Sequence, residues 1–157
     1  MKRSGLEYFG AYRKSIELFD LVVLDMEPLK GEFTLGRLVS QQLASADSLC
    51  ANIEEGYGRL SRKEYIRFLD FARGSARETR GRYLRMRHWL TEDLVRQRTG
   101  LLDEIIGILT STITTLNRGL SDEGRGSRVH ETTALYDSEF SREPTDARPL
   151  STHYSTP

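Results

Sequence analysis

The stretch Glu54-Glu55-Gly56-Tyr57-Gly58-Arg59-Leu60-Ser61-Arg62-Lys63-Glu64 sets two glycines, a tyrosine and a serine between an acidic and a basic end. A phosphate-binding loop of the G-x-x-x-x-G-K-[ST] kind follows a strand and spaces its glycines more widely than Gly56 and Gly58. The alternative is a corner between helices. Ser61-Arg62-Lys63-Glu64 has the form of a capping box, in which the Ser61 hydroxyl accepts from the Glu64 N–H and the Glu64 carboxylate reaches back to the Ser61 N–H. Gly56 is expected one residue past the preceding helix, in a left-handed conformation, with Gly58 permitting a second unusual turn before the next helix starts. Gly56, Tyr57, Gly58, Ser61 and Glu64 therefore form a structural corner.

Helical spacing extends from this corner in both directions, and no strand-like alternation persists. After it, Tyr65, Phe68, Ala72, Ser75, Thr79, Tyr83, Met86 and Leu90 recur at steps of three and four, close to a coiled-coil register. Before it, a helix is expected from Thr34, as N-cap, to Glu55, with Leu35, Leu38, Ala46, Leu49 and Ile53 on one side and Gln42 and Ser45 diluting it. A first helix is expected from Tyr8 to Met26, with Phe9, Tyr12, Ile16, Phe19 and Val23 as its seam and Pro28 as its stop. A fourth is expected from Leu101 to Leu116, with Leu102, Ile105, Leu109, Ile113 and Leu116 in phase and Gly119 as its left-handed end. The pattern is all-α: an antiparallel up-and-down four-helix bundle over 1–120.

Beyond Ser121 the composition changes to Ser, Thr, Gly, Arg, Pro and acids, which bury too little apolar area to offset the ordering of the chain. Residues 121–157 are expected to be a disordered acidic tail. Its apolar island, Ala134-Leu135-Tyr136 with Phe140, has the form of a short docking motif, although a plain solvated tail fits the same composition.

The chain has 157 residues and a formal net charge of zero. That zero is a sum of opposed segments: 59–98 holds 12 Lys/Arg against 5 Asp/Glu, while 1–58 holds 6 against 9 and 121–157 holds 4 against 7. A basic block within a neutral chain says more about partners than the overall balance. The lone Cys50 has no disulfide partner, no secretory leader opens the chain and no apolar run approaches membrane-spanning length, so a soluble cytoplasmic protein without membrane association is expected.

Tests for catalysis fail one by one. A di-iron bundle needs Glu-x-x-His pairs, but Arg85, Ser127 and Leu150 stand three residues before His88, His130 and His153. Cys50 with His88 falls short of a zinc site. A thiol on an apolar helix face is protonated and inert, and adjacent Glu54 and Glu55 diverge by about 100° on a helix, so they form no acid–base dyad. They are placed instead to bind Arg59 or Arg62 across the corner. No cofactor, metal or catalytic residue is expected, and the protein is read as a non-enzyme.

The strongest signal is the basic third helix. With Arg73 at zero on a helical wheel, Arg77 falls at about 40°, Arg80 at about −20° and Arg87 at about −40°, with Arg82 and Arg85 in a looser second set. Arg59, Arg62 and Lys63 add charge at the helix start. One reading is a phosphate-binding groove, with Tyr57, Tyr83 or Trp89 as stacking surfaces. In the other, the arginines pair with acids on neighbouring helices or subunits, such as Glu17, Asp20, Asp25, Glu27 and Asp47, and the protein is a protein–protein scaffold whose tail recruits a partner.

The runs Asn52-Ile53-Glu54-Glu55-Gly56-Tyr57-Gly58-Arg59, Ser61-Arg62-Lys63-Glu64-Tyr65-Ile66-Arg67-Phe68-Leu69 and Ala72-Arg73-Gly74-Ser75 resemble a bacterial family of four-helix-bundle proteins first noticed in intervening sequences of 23S ribosomal RNA genes. The accessory variability proteins of diversity-generating retroelements are similar to these. The resemblance implies an antiparallel bundle assembled as a ring-like homopentamer, with no established enzymatic activity. In retroelement members it implies binding of structured RNA or DNA together with a reverse transcriptase. This sequence departs from the family pattern in carrying Cys50 where a proline is common, in the arginines after Gly74-Ser75, and in its tail.

Overall fold

The computed structural model describes residues 5–123, with side chains over 5–120; residues 121–123 of the expected tail are helical, and 124–157 lie outside the described residues. Four helices dominate: α1 (Gly10–Met26), α2 (Gly36–Tyr57), α3 (Arg62–Arg85) and α4 (Glu92–Glu123), with short 3-10 turns before α1 and in the α1–α2 and α3–α4 connections. No strand is present among the described residues. Each helix packs on its sequence neighbours, and α4 closes against α1. Cross-helix pairs run in opposite numerical order, Arg80 with Asp103 and Arg73 with Thr110, Lys14 with Glu104 and Asp25 with Arg98, so α4 lies antiparallel to both α3 and α1.

The expected helices form, with shifted ends and phases. α2 begins at Gly36 rather than at a Thr34 cap, because residues Phe33–Leu35 form a 3-10 turn that feeds directly into it. α4 starts nine residues before the expected Leu101. The Thr91 hydroxyl accepts from the Leu94 N–H (3.3 Å), Glu92 and Asp93 favour the positive end of the helix, and Val95 extends the apolar phase of Leu102 backwards. Gly119 does not end this helix, which continues through it to Glu123.

The expected seams of α2 and α4 largely hold, that of α1 is turned by about one residue, and that of α3 by about 40°. On α1 the interior is Ala11, Ser15, Leu18, Val22 and Met26, while Ile16 is exposed. On α3 Leu69 and Ala76 are buried, and Phe68 and Ser75 lie half-buried at the α2 side. A helix held between two neighbours buries the residues on the bisector of both contacts, and small side chains there let the backbones approach. A polar ladder crosses the α2–α3 contact: Gln42 Nε2 donates to the Thr79 carbonyl (3.2 Å), and Thr79 Oγ1 donates to Ser45 Oγ (2.9 Å), which donates on to the Gln42 carbonyl (3.1 Å).

Two tyrosines tie the bundle to carboxylates. Tyr83 is fully buried and donates to Asp25 (2.7 Å); burial first, then this hydrogen bond, pushes its hydroxyl well above the ordinary tyrosine range. Tyr12 donates to Glu54 (2.8 Å), and that bond, with some burial, raises it to about 12. Both folded values exceed the unfolded one, so the stability they confer is complete below about pH 10 and is lost as pH rises past it. Urea unfolding should show a midpoint that falls between pH 9.5 and 11, and Tyr83→Phe should flatten that fall. An equal slope in the variant would refute the assignment.

Candidate nucleic-acid interface

Pro28 and the 3-10 turns close one end of the bundle, and the Gly56–Ser61 corner closes the other end of the α2–α3 hairpin. Ser61 starts α3 as expected, its hydroxyl accepting from the Glu64 N–H at 3.5 Å. The glycines work differently from the expectation. Gly56 is an ordinary helical residue inside α2, buried where a Cβ would lie 2.8 Å from Phe68 Cβ and 3.2 Å from Tyr65 Cδ2. Gly58 caps α2 with φ −78°, a right-handed conformation. The corner thus needs close approach at Gly56, not left-handed backbone.

The arginines expected to form one stripe are divided by the structure. Arg80 forks onto the Asp103 carboxylate of α4, Nε at 2.7 Å and Nη2 at 3.1 Å. Arg73 turns to the same seam, binding Asp70 at 2.5 Å and Thr110 Oγ1 at 3.4 Å. Arg59 pairs with Glu55 and lies over the Phe68 ring, 4.8 Å from its centroid. Arg62 rests beside Gly119 of α4. Arg82, from the looser set, is largely buried and bonds Glu78 at 3.3 Å. Of the acids expected as partners, Asp25 binds Arg98 of α4 and Glu27 binds Lys30, and neither takes an arginine of α3.

What remains open is a different line of cations. Lys63, Arg67, Arg77 and Arg85 are exposed and make no ion pair among the described residues. On the wheel they centre about 90° from Arg73, directly away from the observed buried arc, and they span about 33 Å of helix. Arg87 is exposed just past the helix, in the turn Met86–His88. Arg67 lies outside the expected stripe, which begins at Arg73; measured from Leu69, Ala72 and Ala76, it points outward. Among the expected stacking rings, Tyr83 is buried and Tyr57 half-buried, leaving Trp89 49% exposed. Phe71, 46% exposed with Arg67 5.3 Å from its centroid, adds a ring on the cationic face.

Cys50 is buried, and burial pushes its thiol upward. No group of three or more His, Cys, Asp or Glu among the described residues is placed to hold a metal ion. No helix among the described residues is long and apolar enough to cross a membrane.

The same architecture occurs in a crystal structure at 1.70 Å of a protein of unknown function from the S23 ribosomal protein family of Bacteroides thetaiotaomicron VPI-5482. That protein is 27% identical to this one, with a TM-score of 0.62 over 66% of this chain and 97% of its own. No curated protein matches the chain. Residues 7–111 match the family described as 23S rRNA-intervening sequence protein, a span that takes in α1, α2, the corner, α3 and most of α4. By that match and by its fold, the chain belongs to the 23S rRNA-intervening sequence protein family.

Proposed function

We propose that this protein is a non-enzymatic, homo-oligomeric bundle that binds structured nucleic acid, alone or within a nucleoprotein, through the outward face of α3. The observation that carries the reading is the line Lys63, Arg67, Arg77 and Arg85, exposed without internal counter-ions. Guanidinium groups so placed bind phosphate oxygens and confer little base specificity. A ring-like homopentamer, as the family resemblance implies, repeats the line around the assembly and strengthens its field. A reverse transcriptase is the nucleoprotein partner that the likeness to retroelement accessory proteins suggests.

The test is binding of labelled structured RNA, and of duplex DNA, at 50 and 200 mM salt. Affinity should fall steeply with salt, and Arg67→Gln with Arg77→Gln and Arg85→Gln should lower the salt slope by about 3. Arg73→Gln with Arg80→Gln should weaken the α3–α4 seam and leave the slope near its original value. Absence of binding at 50 mM salt would reject the reading. A second reading, a protein–protein scaffold, draws on the paired arginines and on Arg82, whose Nη1 is buried without an acceptor among the described residues. It predicts that the outward triple variant changes the oligomer rather than nucleic-acid affinity.

A further inference from the structure

The cationic face of α3 also carries apolar surface. Lys63, Arg67 and Phe71 follow one another at steps of four on the outward side, and Leu60 just before them is fully exposed. A face that mixes unpaired bases with an exposed ring fits a ligand that mixes acids with apolar side chains. The same chain contains one. Residues 131–143 hold Leu135, Tyr136 and Phe140 among Glu131, Asp137, Glu139 and Glu143, four acids against the single base Arg142.

The geometry of the bundle puts this face within reach of that segment. α4 runs antiparallel to α3, and Gly119 lies against the Arg62 guanidinium, so α4 ends at Glu123 about one turn beyond the start of α3. Residues 124–133 precede the apolar island, a tether of ten residues that spans about 33 Å when extended. The stretch of α3 from Ser61 to Arg77 is about 24 Å long and lies within reach. The cleft of Leu84, Arg87, His88 and Val95 at the far end lies beyond it.

We propose that residues 131–143 dock on the outward face of α3 of their own chain, with Leu135, Tyr136 and Phe140 covering Leu60 and Phe71 and the acids facing Lys63, Arg67 and Arg77. The segment then occupies the surface offered to phosphates and competes with nucleic acid. The competition rests on the nucleic-acid reading above, and the contact does not. A short tether gives an effective concentration on the order of millimolar, so a segment of weak intrinsic affinity is enough to occupy the face most of the time.

Lys63 is the only lysine of α3, and among the described residues Lys14 and Lys30 already pair with Glu104 and Glu27. Zero-length carbodiimide cross-linking of the full chain, read by mass spectrometry, should therefore join Lys63 to Asp137, Glu139 or Glu131. Leu135→Ala with Tyr136→Ala and Phe140→Ala should abolish the link and tighten structured-RNA binding about tenfold. A cross-link that forms and is lost in the variant, with no RNA binding by either protein, upholds the docking and rejects the nucleic-acid reading. The docking is overturned by three results: no link to Lys63, a link that survives the triple variant, or a link found only between copies in a mixture of isotopically light and heavy chains.

Discussion

Asp25→Ala is expected to lower the unfolding free energy by about 3–5 kcal/mol, enough to leave a bundle of this size barely folded. Asp25 is buried near the C-terminal end of α1, and its carboxylate accepts from Arg98 Nε (2.8 Å) and Nη2 (3.1 Å) and from the Tyr83 hydroxyl (2.7 Å). Three helices meet on one carboxylate. Truncation leaves a largely buried guanidinium without a counter-charge and a buried hydroxyl without an acceptor, and those orphaned groups, rather than the lost attraction, make up most of the cost.

The same reasoning makes a sharper claim. Replacing all three members with apolar residues, Asp25→Leu, Arg98→Met and Tyr83→Phe, should recover most of the loss or exceed the parent stability, since no orphan remains. Urea unfolding followed by helical circular dichroism decides it. A loss under 1 kcal/mol for Asp25→Ala would mean that water reaches Arg98 and the cluster is not buried in solution. Recovery in the triple variant would assign the cluster to register: a fixed polar contact selects one alignment of α1, α3 and α4 where an apolar seam tolerates several.

This cluster marks where the sequence stops being legible. Helix count, order and the Ser61 cap follow from local chemistry, because apolar spacing and a hydroxyl before a helix act over a few residues. Asp25 and Arg98 are 73 positions apart, and the polar run Arg96-Gln97-Arg98-Thr99-Gly100 reads locally as a connection. The Thr91 cap and the packing of Val95 into the core turn it into helix. The phase of α3 is off by about 40° for the same reason, with Tyr65, Ala72, Thr79 and Tyr83 buried as expected. Phe68 and Leu69 are both apolar, and which of them faces inward is set by the directions of α2 and α4. That turn moved the site as well, because Arg73 and Arg80 come to the α4 seam while Arg67 and Arg85 face solvent.

Gly56→Val is expected to cost about 2–3 kcal/mol, whereas Gly107→Ala should gain about 0.5–1 kcal/mol. Both positions are helical, so backbone preference alone predicts that any side chain improves on glycine. They differ in what the added Cβ meets. At Gly107 it meets nothing within 4 Å. At Gly56 it meets Phe68 Cβ at 2.8 Å, an atom fixed to the α3 backbone that no rotamer change can move aside, so the hairpin must widen at its tightest point. Widening there also draws Tyr65 from the core and shifts the first turn of α3, which carries Lys63 and Arg67. The Gly56 variant should therefore lose nucleic-acid affinity even where it remains folded, at salt concentrations where Gly107→Ala binds like the parent. If Gly56→Val proves as stable as the parent, the close approach of α2 and α3 is not what sets this corner, and the glycine there has no structural necessity.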